Sequence, residues 1–375
     1  MPRLDQEPRE RLSSGQRVLA EDELAELSRT DSRKGATLII WGLGIAVVVI
    51  AAFSFCLGRY AVSIEQVGAA LANAIVQLPS ILGGARPDLS AADSVVVNVR
   101  LPRILAALLV GAALAIAGAS YQGVFRNPMV SSDILGASAG AGFGASMAIL
   151  AGASGVIVQI AAFGCGLLAV GITYSIGNAV GKGDSSTLSL VLAGIVVQAL
   201  FQAFIGCAKY LADPYSQLPE ITYWLMGSLA NVSLEDIGLI LLPLIVGTVV
   251  LLALRWRVNV LSFGDEEAAS LGVDTRKLRF VIIVCATLVT GSAVSVAGQV
   301  GWIGLVVPHL ARMIVGPNYR HLMPASLVIG AGFLLIVDDV ARNIMSAEIP
   351  LGILTALIGA PVFVFLLLKG KRGWV

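Results

Sequence analysis

About ten apolar stretches recur along this chain, and each approaches the length that crosses a lipid bilayer. A spanning helix needs about 20 mostly apolar residues. Segments 37–57, 101–121, 134–152, 155–179, 188–209, 234–254, 278–298, 301–315, 323–341 and 350–369 fit that measure, the eighth only narrowly. Little of the remainder could be solvated by water. Charged residues occupy 13% of the 375 positions, where soluble domains carry about 25%. Lipid is therefore the solvent for most of the surface. No series of short segments alternates apolar and polar residues, as membrane-barrel strands would. The expected fold is an all-α polytopic membrane protein.

Lysine and arginine gather on the cytoplasmic side of such proteins. With the N-terminus inside and an even number of spans, 19 of the 25 basic residues fall there. Arg59, Arg86, Arg100, Arg103, Lys209 and Arg342 are left on the other side. Both termini are expected in the cytoplasm. Residues 1–35 are polar and mixed in charge, without the basic start and apolar core of a secretory signal. They read as a cytoplasmic extension, a short surface helix around Leu19, Leu24 and Leu27 or a disordered segment, ahead of a membrane domain at 36–375.

Several chemistries are excluded. A net charge of +1 gives no argument for nucleic acid. Cys56, Cys165, Cys207 and Cys285 are widely spaced in apolar stretches and read as small buried hydrophobes. The two histidines, His309 and His321, lack metal-ligand spacing, so neither a metal site nor a catalytic set is expected. Gly181-Lys182 is followed by Gly183 and not by Ser or Thr, so the phosphate-binding loop G-x-x-x-x-G-K-[ST] is missing. Any driving energy must come from a partner chain or an ion gradient.

The sequence also echoes itself. At an offset of 180, Ala106, Leu108, Gly111, Ala113, Ala117, Gly118, Pro128, Ile134 and Gly136 meet identical residues from Ala286 to Gly316. Copies displaced by five spans face opposite ways in the bilayer, and inverted repeats of this kind are a transporter device. The alternative is two unrelated faces of small residues.

Four polar islands interrupt the apolar pattern. Arg100-Leu-Pro102-Arg103 opens the second span, with Pro in the first turn and two cations facing outward. They read either as interface anchors or as a docking site for a carboxylate-bearing partner. Arg126-Asn-Pro-Met129 breaks the chain before the third span. Segment 261–279 reads as a compact helix-turn-helix on the cytoplasmic face, acidic at its first turn (Asp265, Glu266, Glu267), ending at Leu271-Gly272-Val273 and recapped by Asp274. Asp338, Asp339 and Arg342 lie near the end of the ninth span, where Asp338 and Arg342 are spaced to neutralise each other.

Taken in order, these motifs resemble the FecCD-type permeases, which import iron–siderophores, haem and vitamin B12. The resemblance spans about residues 60–370: R-L-P-R (100–103), R-N-P-M (126–129), D-I-L-G (133–136), W-L-M-G-S-L (224–229), G-D-E-E-A-A-S-L-G-V (264–273), G-L-V-V-P-H-L-A-R (304–312) and the run from Glu348 to Phe363. It implies ten helices with an inverted 5+5 repeat, the type II ABC importer permease architecture, in a bacterial inner membrane. It implies a homodimer, two cytoplasmic ATPase subunits carrying ATP and magnesium, and a substrate-binding protein outside. This chain itself would bind no cofactor. Arg100, Arg103 and Arg342 match the docking arginines; Asn127, Met129, Thr187 and Leu188 match the cytoplasmic gate. Gly264, Asp265, Glu266, Ala268, Leu271, Gly272 and Val273 match the coupling helix that sits in the ATPase groove. The alternative is an ion-coupled secondary transporter, expected to carry carboxylates or histidines near mid-membrane. Apart from Asp338 and Asp339 the spans have almost none.

Overall fold

The structure, a computed structural model, describes residues 35–82, 90–181, 186–262 and 264–370. The polar extension 1–34, Arg86, Lys182, Phe263, Lys371 and Arg372 lie outside the described residues. Each apolar segment forms a helix: α1 (Gly35–Ser54), α4 (Leu101–Val124), α5 (Ala137–Leu150), α6 (Gly155–Val180), α7 (Ser186–Leu211), α9 (Leu234–Leu261), α11 (Thr275–Ala297), α12 (Ile303–Val315), α13 (Tyr319–Asn343) and α14 (Leu351–Gly370). Between them lie α2 (Ile64–Leu82), α3 (Ala91–Ser94), α8 (Gln217–Met226) and α10 (Asp265–Ser270). Of these only α10 follows from the sequence pattern. Polar interruptions at Glu65, Gln66 and Asn73 hide α2, and Glu220 with Pro219 hides α8.

Pro102 stands in the first turn of α4 as expected, but the chain is already helical before it. The chain is continuously helical from Ala91 to Val124, with a π-helical turn at Val95–Arg100 immediately before the proline. Proline inside an α-helix lacks a donor and collides with the carbonyl four residues back. The wider turn relieves that conflict, and Leu101 N–H reaches back to Val96 O instead.

α4 is the central post. Of its most apolar window 78% is buried, as is 72% of that of α11, against 6% for α1. Lipid-facing helices therefore ring α4 and α11. α4 packs on α9, α11, α12 and α13. Two glycines make this density possible. A methyl group at Gly111 would overlap the Gly330 carbonyl of α13, and one at Gly118 would overlap Gly304 of α12. Small residues let helix backbones approach closely where lipid offers no hydrophobic drive for association.

The repeat holds at the level of helices. Lengths of 24, 14, 26 and 26 residues in α4 to α7 recur as 23, 13, 25 and 20 in α11 to α14. α4 and α11 run antiparallel. The end of α4 at Arg126 lies against Gly264 at the head of α10, and α10 is ion-paired to Arg279 in the first turns of α11. Tyr121 and Thr287 hydroxyls meet between them at 3.0 Å. The offset of 180 nevertheless fails beyond residue 117. Pro128 sits in a turn whereas Pro308 is inside α12; Gly118 is inside α4 whereas Gly298 caps α11. Twelve residues (125–136) separate α4 from α5 and only five (298–302) separate α11 from α12, so no single offset can align both pairs.

Candidate functional site

Three regions carry candidate chemistry, and the first and third hold the sequence-predicted site residues. The first lies where α1 and α13 end and α4 begins. Arg103 grips Asp338 through Nε and Nη2 at 2.9–3.0 Å and reaches Glu348 with Nη1 at 2.8 Å. Arg342 donates to Asp339 and to Ser54, at 2.9 Å to the carbonyl and 2.6 Å to the hydroxyl. Ser54 Oγ in turn donates to Asp339 at 2.6 Å. Arg100 donates to the carbonyls of Phe55 and Tyr60, pinning the turn after α1. All three arginines are buried, between 3% and 6% exposed.

Two expectations change here. Asp338 is taken chiefly by Arg103, while Arg342, 3.9 Å from it, pairs mainly with Asp339. The (i, i+4) pair is a minor part of a larger network. The arginines also are not open cations facing outward: three guanidinium groups are matched by three carboxylates and by main-chain carbonyls of the same chain. Isolated charges in a low-dielectric interior are too costly to leave unmatched, which is why the sequence supplies both partners.

The second region is an open cavity of about 560 Å³ between α5, α7, α12 and α14. Backbone breaks create it. α5 and α12, at 14 and 13 residues, rise only about 20 Å, short of the roughly 30 Å hydrocarbon layer. Left-handed or positive-φ residues mark the breaks: Gly136 before α5, Gly227 after α8, Gly298 after α11 and Trp302 before α12. Gly298 abuts the Trp224 carbonyl and Gly227, so the ends of α8 and α11 meet. The first residues of α5, α12 and α14 all face the cavity through Ser138, Trp302 and Gly352. Gln198, Gln202 and Gln299 supply side-chain amides, and Gln299 is held by the Ser138 carbonyl at 2.9 Å. Among the described residues Asp133, bonded to the Ser138 hydroxyl, is the acidic lining residue, and no Lys or Arg lines the cavity. Non-helical backbone at membrane depth is tolerated where it lines such a cavity, and helix N-termini present unpaired N–H groups to anions.

None of the cavity's glutamines was singled out from the sequence. The available signal was Gln198 and Gln202 four apart in an otherwise apolar helix, which puts two amides on one face.

The third region is α10 and its surroundings. Gly264 and Ala268 are buried, Asp265 and Val273 half-buried, and Glu266, Leu271 and Gly272 exposed, Leu271 to 64%. Asp265 accepts from Arg279 Nη2 at 2.9 and 3.2 Å, stapling α10 to α11. Gly272 takes φ +77 to end the turn, and Asp274 caps α11 by accepting from Lys277 N–H at 3.0 Å. α10 thus keeps one side in the body and offers the other outward. Of the gate residues, Asn127 accepts from Met129 N–H at 2.9 Å and both are exposed, as is Leu188; Thr187 is half-buried. Among the described residues the Asn127–Met129 turn makes no hydrogen bond to Thr187 or Leu188.

The sequence matches the FecCD transport family over residues 45–369. It is 40% identical over 340 residues to the molybdate import system permease protein of Haemophilus influenzae, covering 89% of this chain and 96% of that one. It is 43% identical over 277 residues to the cobalamin import system permease protein of Halobacterium salinarum, covering 74% of each. The hemin transport system permease protein of Yersinia pestis is 38% identical over 290 residues, covering 73% of this chain and 83% of that one. A solved inward-facing structure of a metal-chelate type ABC transporter superposes with a TM-score of 0.77 at 37% identity, covering 89% of this chain and 99% of that one.

Proposed function

The chain belongs to the FecCD transport family and is an integral-membrane permease of the ABC importer type; on that premise we propose that two copies form a path for an anionic metal chelate. The observation that carries the cargo class is the open cavity at the breaks before α5, α12 and α14. Three helix N-termini and three glutamine amides converge there beside Asp133, without a fixed cation among the described residues. Such a lining offers hydrogen bonds to carboxylates, phosphates or oxo groups yet holds none of them tightly, and a path must let its cargo leave. Its volume of about 560 Å³ suits part of a siderophore, haem or corrinoid, with the second copy supplying the rest. A smaller metal oxyanion is the second reading, favoured by the 40% identity to the molybdate permease along 89% of this chain.

In this reading both termini are cytoplasmic, a binding protein delivers cargo at the end carrying Arg100, Arg103 and Arg342, and ATP is split on separate subunits. The arginine cluster sets the shape of the docking end. Contact with the carrier falls to the exposed turn just after α13, residues 344–347, beside half-buried Glu348. The ATPases press on the outward side of α10. Asp265 carries that displacement to Arg279 and hence to α11, while Gly264 carries it to Arg126 and the turn holding Asn127 and Met129. Coupling thus needs rigid links, and an ion pair 9% and 21% exposed is one.

The test is to purify the cognate binding protein from cells, identify its ligand by mass and metal content, and follow uptake of that ligand. A ferric chelate, haem or corrinoid supports the first reading, and molybdate or tungstate the second. A metal-free sugar or peptide would refute both.

A further inference from the structure

At the α10 end of the molecule a cavity of about 540 Å³ is lined by Gln122, Arg126, Asn127, Trp256, Asn259 and Arg312, among others. A second cavity of about 330 Å³ shares Trp256 and adds Arg255 and Arg320. Four arginines therefore face these spaces, and among the described residues no carboxylate lines either. Glu267 lies against Gly264, as Arg126 does, but Arg126 and Glu267 form no ion pair among the described residues. Arg312 is the telling group. Its Nη2 donates to Gln122 Oε1 at 3.0 Å and the Tyr319 hydroxyl stands beside the guanidinium, while its Nη1 is buried without a well-formed hydrogen bond. The wall opposite is rigid: Asn259 bonds Asn318 at 3.0 Å and accepts from Tyr319 N–H at 2.9 Å.

A buried guanidinium donor short of an acceptor calls for a water or an anion from outside the chain. Arg342 Nε is in the same position but has carboxylates within its network, whereas Arg312 faces a cavity that it shares with Arg126. Guanidinium groups match phosphate in geometry and charge. The source of the phosphate is indicated by α9. Leu242, Val246, Val249 and Trp256 form an exposed stripe at helical spacing that runs down to the cavity mouth. Trp256 stands at its foot, 63% exposed, as tryptophans do at a membrane interface.

We propose that this cavity binds the phosphate of an anionic phospholipid, with Arg312 and Arg126 as its ligands, Arg255 and Arg320 flanking, and acyl chains lying along the α9 stripe. Basic pockets between helices on the cytoplasmic side suit such headgroups. The site lies beside the Asn127–Met129 turn, so an occupied site braces that turn. The proposal does not depend on the cargo or on the ATPase contact.

The full-length chain, delipidated in detergent, would be titrated with phosphatidylglycerol, phosphatidylcholine or inorganic phosphate. Its thermal midpoint would be followed, and retained lipid counted by native mass spectrometry. Phosphatidylglycerol should raise the midpoint and remain bound at about one per chain, whereas phosphatidylcholine and inorganic phosphate should do neither. Arg126→Gln and Arg312→Gln should each weaken the lipid response at least tenfold. Equal stabilisation by phosphatidylcholine, or variants that keep the preference, would overturn the site. An equal effect of inorganic phosphate would overturn the lipid as its source. If Arg312→Gln does not accumulate, exposed Arg126 and the wild-type mass spectrum still decide the matter.

Discussion

Where α4 begins and α13 finishes, Arg100, Arg103 and Arg342 are buried against Asp338, Asp339, Glu348 and main-chain carbonyls. Where α4 finishes and α10 begins, Arg126, Arg312, Arg255 and Arg320 line cavities that hold no carboxylate among the described residues. The same side chain does two different jobs. Matched charge fastens helices that are far apart in sequence; unmatched charge is left for something the chain does not contain. The first end is built to stay fixed, and the second is built to meet partners.

The largest effect should come from breaking the fixed end. Arg103→Met leaves Asp338 buried without its main partner and should cost about 3–5 kcal/mol, seen as a large drop in thermal midpoint in detergent. Adding Asp338→Leu should recover most of that loss, since an apolar pair of similar volume is often neutral. If the double variant is as unstable as the single, the network does more than satisfy charge.

Next comes the link between the two behaviours. Asp265→Arg in the assembled transporter should cut cargo uptake at least tenfold while the ATPases still co-purify and hydrolyse ATP. The exchange Asp265→Arg with Arg279→Asp should restore much of it. Loss of co-purification in the single variant would instead make Asp265 part of the ATPase contact. A smaller effect is expected in the cavity: Gln198→Leu with Gln202→Leu should slow uptake several-fold without changing assembly or stability, and unchanged uptake would remove these amides from the path. The smallest concerns the open end. Arg126→Gln should alter stability by no more than about 0.5 kcal/mol, because its guanidinium is exposed and has no ion-pair partner among the described residues. A drop comparable to that of Arg103→Met would erase the distinction between the ends.

Much of the fold is legible in the sequence because lipid imposes a length on every span. The ten apolar segments and the ten helices that match them agree within about four residues, except that α9 runs seven residues further, to Leu261, and the acidic-headed turn at 264–273 announces α10. What stays hidden depends on distance in sequence. Nothing local to Arg103 reveals that its partners lie 235 and 245 residues away, so a buried network reads as an exposed basic edge. The cavity is hidden for a different reason. It is made by helix ends, whose donors belong to the backbone, and by glutamines that a hydropathy reading counts only as interruptions. The repeat is visible as a pair of helices but not in register, because unequal connections shift the second copy.

The most direct test of the central claim is reconstitution in liposomes. With its ATPase subunits inside and cargo-loaded binding protein outside, this chain should concentrate cargo only when magnesium and ATP are supplied. Dissipating proton and sodium gradients should leave that uptake intact. Uphill transport by the chain alone, driven by a gradient and indifferent to ATP, would contradict the account.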